Sequence, residues 1–219
     1  MTRFSKLVSW SAILLTFTSC HSLAKVKTGS TSATASTTTT TLNPGILPQT
    51  TVKPSSNSIQ FNTEIRHLWQ GIQNGSIKQA MVSFFPRQAY LQVKAIAHPN
   101  YDYNHRLIAH FRLDLMAAHA LLGPNPKSAN LLYVKVPSFY ATWIKPGICY
   151  NKIGYWHVPG SRLVYEQNHQ IRSIGIASLI SWRGQWYVVH LGGVSRSKNV
   201  GMVDHPSVGA GVVGPPGGC

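Results

Sequence analysis

The stretch Ile171–Leu191, IRSIGIASLISWRGQWYVVHL, decides the fold. Its residues alternate from Ile171 to Trp182, break at Arg183-Gly184, and resume as an apolar run from Gln185 to Leu191. A period of two on both sides of a two-residue break predicts two antiparallel strands joined by a tight turn. Ile174, Ile176, Ile180 and Trp182 then share one face, and Gly175 marks a bulge or a bend. Trp182 and Trp186 lie on either side of the turn.

Working towards the N-terminus, Arg162–Glu166 reads as a short extended segment and Phe139–Ile144 as another. Asn130–Val136 alternates, with Leu132, Val134 and Val136 on one face. Before Asn130 the period changes to that of a helix. Ile65, Leu68, Trp69 and Ile72 follow i, i+3, i+4, i+7 after a cap at Asn62 or Thr63, and Asn74-Gly75 stops the helix. Ser76 starts a second helix through Ile77, Ala80, Met81 and Phe84. Pro86 opens a third, to Ala97, that His98-Pro99 ends. A longer helix is predicted over Asn104–Leu122, with Leu107, Phe111, Leu115, Ala118 and Leu122 as its stripe and Gly123-Pro124 as its stop.

Helices followed by an antiparallel meander predict an α+β fold: N-terminal helices packed on a curved antiparallel sheet that ends in a long hairpin. This element order resembles the NTF2-like and cystatin-like cone folds. The resemblance implies a concave sheet closed by helices, an architecture that hosts enzymes, binding domains and interaction domains alike.

The ends of the chain have a different composition. Arg3 and Lys6 precede a short apolar core, Leu7–Phe17, as in a secretory signal. That core spans about 11 residues, against the ~20 needed to cross a membrane as a helix. Phe17-Thr18-Ser19-Cys20 resembles a lipobox, which would make Cys20 the lipid-modified first residue. Ser22-Leu23-Ala24 is the competing cleavage site, leaving Lys25 first. Residues 21–58 are rich in Thr, Ser and Pro and are expected to be a disordered tether; the composition also suits an O-glycosylated stalk. A stalk below a lipobox resembles actinobacterial cell-envelope proteins. Residues 59–193 are left as a single domain of about 135 residues. Val194–Cys219, rich in Gly, Pro and Ser, is expected to be a disordered tail.

The chain carries a formal net charge of +15 at pH 7. Residues 59–193 hold 13 Lys/Arg against four acids, Glu64, Asp102, Asp114 and Glu166, a net +9. Such a domain favours anionic partners. For an exported protein these are an anionic wall polymer or another envelope protein. Nucleic acid is excluded for want of an aromatic RNP motif, a Cys/His finger or a clustered basic run. If Cys20 is lipidated, Cys149 and Cys219 remain, either as one disulfide or with Cys149 as a buried free thiol.

Three groups of residues are candidates for function. Asp102, Arg106, His110 and Asp114 recur every four residues and form one polar stripe. It is either a solvated ladder or, facing a cavity, an acid/base site built on His110 and Asp114. Cys149 and His157 fall within Lys145–Ser161, KPGICYNKIGYWHVPGS, read as one long loop, and a Cys/His pair is a nucleophile with its base. The same region supplies aromatic and basic groups suited to recognising an anionic sugar: Trp143, Tyr150, Lys152, Tyr155, Trp156 and Arg162. No metal-ligand spacing, Gly-rich phosphate loop or cofactor motif occurs, so no metal or cofactor is expected. The expected function is a binding domain tethered at the outer face of the cell membrane, or secreted if cleavage falls before Lys25. The alternative is a small hydrolase or isomerase working in the cone of the same fold.

Overall fold

The computed structural model describes residues 43–197 and 199–214. The signal, Cys20 and both cleavage sites lie outside the described residues. Helix α1 (Ile59–Asn74) opens the helical layer, followed by α2 (Ile77–Ala80), α3 (Arg87–Val93), α4 (Pro99–Asp102) and α5 (Ile108–Leu121), with a π turn over Tyr103–Leu107 between the last two. The strands are β1 (Asn130–Lys135), β2 (Thr142–Ile144), β3 (Tyr155–Gln167), β4 (Gln170–Trp182), β5 (Gln185–His190) and β6 (Ser207–Val208). They form one antiparallel sheet in the order β1-β3-β4-β5, with β2 beside β3 and β6 beside β4. The fold is α+β, as the change of period predicts.

Local chemistry accounts for most of the boundaries. The Arg183-Gly184 turn has both residues at positive φ, and so does Asn168-His169 between β3 and β4. Left-handed pairs match the twist of the strands they join. The cap of helix α1 is Ser58, four residues before Asn62, because the Ser58 hydroxyl accepts the Phe61 N–H at 3.1 Å. Gly75, at φ 58°, ends it. Helix α3 stops at Val93, before the expected Ala97, because Lys94 turns extended and bridges to Asn151. Pro99 opens a helix where the sequence reading had it close one; proline suits the first helical position, whose N–H needs no partner.

Three further expectations are corrected. Residues 155–161 are the first half of β3, so the long loop is only residues 145–154. Gly175 pairs in register with Arg162, and its missing side chain admits the Asp204 carboxyl, whose oxygen would lie 2.0 Å from a Cβ there. The third correction concerns the domain boundaries. Residues 43–53 lie on the domain: Trp182 Nε1 donates to the Pro44 carbonyl at 2.8 Å, and Gln49 Nε2 to Ser181 O at 3.0 Å. Downstream, β6 pairs with β4, and Gly214 N–H reaches Gly160 O at 3.0 Å. Residues 43–53 of the expected tether and 199–214 of the expected tail therefore lie against the sheet. Their polar composition hid this, because they dock through backbone groups more than through large apolar side chains.

The core between the layers includes Leu68, Ile72, Phe111 and Leu115 from the helices, Phe85 from the connection before α3, and Leu163, Ile176, Trp182 and Trp186 from the sheet, all nearly inaccessible. Glu64 on α1 is 7% exposed and lies within this layer. Its Oε1 accepts from Gln60 Nε2 at 3.0 Å, while Oε2 has no partner. Burial pushes its pKa from 4.5 up to about 7, against the opposing Gln60 bond. The folded state thus holds this proton more tightly than the unfolded chain. That contribution to stability is complete below pH 4.5 and is lost as pH rises from there through 7. Glu64→Gln is therefore expected to match the parent below pH 4.5 and to exceed it by about 1–3 kcal/mol at about pH 8, read from urea unfolding at the two pH values.

Candidate functional site

The end of α3, the π turn and the inner faces of β3, β4 and β5 enclose a cavity of about 630 Å³, with the 145–154 loop at its mouth. That size suits one sugar or another small molecule. Its polar lining comes from Tyr90, Lys94, Arg106, His157, Ser178 and His190.

Arg106 is held from behind. Its Nε and Nη2 donate to the two oxygens of Asp102, each at 2.6 Å, and Tyr90 Oη donates to the same carboxylate. Arg106 Nη2 also reaches Tyr90 Oη at 3.3 Å. A bidentate guanidinium–carboxylate pair is planar and directional, so it fixes the arginine as well as charging it. Burial alone would raise the Asp102 pKa. The bonds from Arg106 and Tyr90 outweigh it and hold the carboxyl low. The bond to Asp102 raises the Arg106 pKa. The π turn sets this arrangement, its wider turn bringing Tyr103 and Leu107 into the core while Arg106 faces the cavity.

Lys94 lies at the end of α3, and its Nζ donates to the Cys149 carbonyl at 2.7 Å. Burial, and then the charge of Arg106, lowers its pKa. Two backbone bonds tie the loop to α3: Ala95 N–H to Tyr150 O and Lys152 N–H to Val93 O, both at 2.8 Å. Cys149 and Tyr150 sit consecutively at positive φ, 57° and 56°. Non-glycine residues there carry a conformational cost that the surrounding bonds must hold in place. His190 is kept neutral: burial first, then Arg106, brings its pKa down to about 3. His157 Nε2 lies 2.9 Å from Ser178 Oγ, and both residues are buried. The lining thus presents two cations, the neutral His190 imidazole, the His157 ring and hydroxyls, and it includes no carboxylate.

The residues singled out in the sequence fall in different places. Tyr150, Tyr155, Cys149 and His157 all line the cavity. Cys149 is half-buried and disulfide-bonded, which corrects the reading of a buried free thiol. Its partner lies outside the described residues. A sulfur in that bond is no thiolate nucleophile. Trp143 and Trp156 pack edge to face at 5.7 Å on the opposite face of the sheet. There Trp156 Nε1 donates to Thr51 O at 2.9 Å, and Lys53 Nζ lies 5.1 Å from its ring. Lys152 is exposed, and Arg162 is buried away from the loop.

The polar stripe is divided. Asp102 and Arg106 serve the cavity, whereas Asp114 is buried, accepting the Gly192 and Met202 N–H groups at 2.9 Å and pairing with Arg196. His110 is half-buried and makes no hydrogen bond to Asp114; burial, then Arg196 and Arg106, lowers its pKa. The expected acid/base pair is therefore two separate groups.

Tyr90, Lys94, Ser178 and His190 were missed in the sequence. The stripe pointed to Arg106, but no local spacing joins it to Tyr90. Among the described residues, no group of three or more His, Cys, Asp or Glu side chains is placed to hold a metal ion. None of their helices is long and apolar enough to cross a membrane. No known protein family, curated protein or solved structure matches the chain.

Proposed function

We propose that this chain is a binding domain of the cell envelope, tethered through Cys20 or secreted, whose cone cavity takes one anionic unit of a wall glycopolymer. The observation that carries the reading is the carboxylate-free lining in which Lys94 and a fixed Arg106 face the same space. Lys94 supplies a point charge, and Arg106, whose Nε and Nη2 are held by Asp102, has Nη1 left as a fixed donor, a combination suited to a carboxylate or phosphate substituent. Tyr150 at the mouth offers a ring face for a sugar, and Tyr155 lines the interior. The likeness to NTF2-like cones is an analogy of architecture and adds a site of the right shape but no ligand.

Beads carrying purified anionic wall glycopolymer test it. The protein is expected to be retained at about 50 mM salt and released at about 500 mM, where exposed charges are screened. Lys94→Met is expected to cut low-salt retention roughly tenfold, the loss of one charge-assisted bond. Equal, negligible retention at both salts overturns the proposal. The rival hydrolase rests on the Ser178–His157 contact, a pairing that serves acyl transfer elsewhere. Turnover of a chromogenic ester that vanishes in Ser178→Ala would replace the binding-only reading with that one.

A further inference from the structure

A second cavity, of about 510 Å³, lies on the other side of the sheet beneath the C-terminal segment. Its floor includes Pro159, Arg162 and Ala177, and its roof Asp204, Val212 and Val213. The segment is fixed over it by the β6–β4 pairing, by Gly209 N–H to Ile171 O at 2.8 Å, and by Gly214 N–H to Gly160 O at 3.0 Å.

Arg162 is 2% exposed. Its Nη2 donates to Ser173 Oγ at 2.7 Å and to Ser207 Oγ at 3.2 Å, while its Nε has no partner. No described carboxylate stands within ion-pair distance. Asp204 lines the cavity, but its Oδ1 accepts from His205 Nδ1 at 2.8 Å. A guanidinium carries five N–H donors, and two serine hydroxyls bring no negative charge to it. A buried cation left in this state costs several kcal/mol unless an anion joins it. Consistently, burial lowers the Arg162 pKa, with only the charge of Asp204 across the cavity opposing.

We propose that this cavity binds a monocarboxylate with an apolar tail, its carboxylate on the Arg162 guanidinium and its tail against Pro159, Val212 and Val213. An apolar pocket with one placed charged group is the usual form of a small-molecule site. A phosphate fits less well, because a dianion would meet the Asp204 charge and leave the apolar wall uncovered. The site shares Pro159 and Ala177 with the lining of the cone cavity, but Arg162 lines this one alone, and the assignment does not depend on the function proposed for the other.

Isothermal titration of the purified protein with octanoate, octanol and inorganic phosphate tests the assignment. Octanoate is expected to bind at one site per chain, with octanol and phosphate at least tenfold weaker, the value of a charge-assisted bond plus apolar burial. Arg162→Gln is expected to weaken octanoate at least tenfold. Asp204→Asn is expected to tighten it severalfold, because a like charge facing the ligand is removed. Octanoate that does not bind, octanol that binds equally well, or phosphate that binds more tightly overturns the proposal. If Arg162→Gln fails to fold, Asp204→Asn decides alone: tightening supports the site, and unchanged or weaker binding overturns it.

Discussion

Replacing Asp114 with alanine is expected to destabilise the protein by about 3–5 kcal/mol, the range for breaking a buried ion pair on one side. Asp114 is 1% exposed, and both of its oxygens are in use. Arg196, whose side chain is 3% exposed, would keep its charge without a counterion, since its Nε and Nη2 have no other partner. Two backbone N–H groups, the buried one of Gly192 and the part-buried one of Met202, would also lose their acceptor. For a body of this size the loss corresponds to a fall in Tm of roughly 8–15 °C. Asp114→Asn keeps an acceptor but not the charge and is expected to lie between. The chain from Gly192 to Met202 should also become the first site cut by a protease, because Asp114 is the post to which both its ends are tied. A Tm change under about 2 °C for Asp114→Ala would refute this anchoring role.

The assignment of Asp114 shows where the sequence stopped being informative. Its spacing from Asp102, Arg106 and His110 was legible, and Asp102–Arg106 is an i, i+4 ion pair. What the carboxylate at the far end would meet was not legible, because Gly192 and Met202 are about 80 residues away in a segment with no period. Composition also misjudged residues 43–58 and 194–214. Sparse apolar content argues against a core of their own, but these segments use the core of the sheet. Gln49, Pro44 and Gly214 attach by backbone and amide groups that no hydropathy pattern records.

The hairpin was legible because its register follows from its turn. Trp182 faces Gln185, and Ser181 faces Trp186, as counting from Arg183-Gly184 requires. The cavity was less so. The register shifts between Ser178 and Leu179, so Ser178 lies opposite His190 where simple counting gives Val189. That one-residue shift brings the His157–Ser178 contact and His190 to the same lining. Tyr90 and Lys94 join them only through the crossing of α3 over the sheet, a tertiary fact with no local signature.

The same hairpin carries the last expectation. Trp182→Ala is expected to cost about 3–5 kcal/mol, the usual cost of emptying a buried tryptophan site. Trp182 is 1% exposed, and its ring meets Phe85 edge-on at 6.1 Å. Its Nε1 also holds the Pro44 carbonyl, so the truncation removes core volume and the clasp on residues 43–48 together. Trp182→Phe separates the two effects: it keeps an aromatic ring in the core and removes only the donor, for about 1–2 kcal/mol. Gln92 Nε2 still reaches Gly45 O at 2.6 Å, and the Arg183 N–H still reaches Gln49 Oε1 at 2.6 Å, so the segment is loosened at one of its several fastenings. Urea unfolding should show the large loss for alanine and the small one for phenylalanine. Amide exchange around Gly45 should rise in both. Equal losses for the two variants would mean that the clasp, and not the packed ring, carries the stability of this corner.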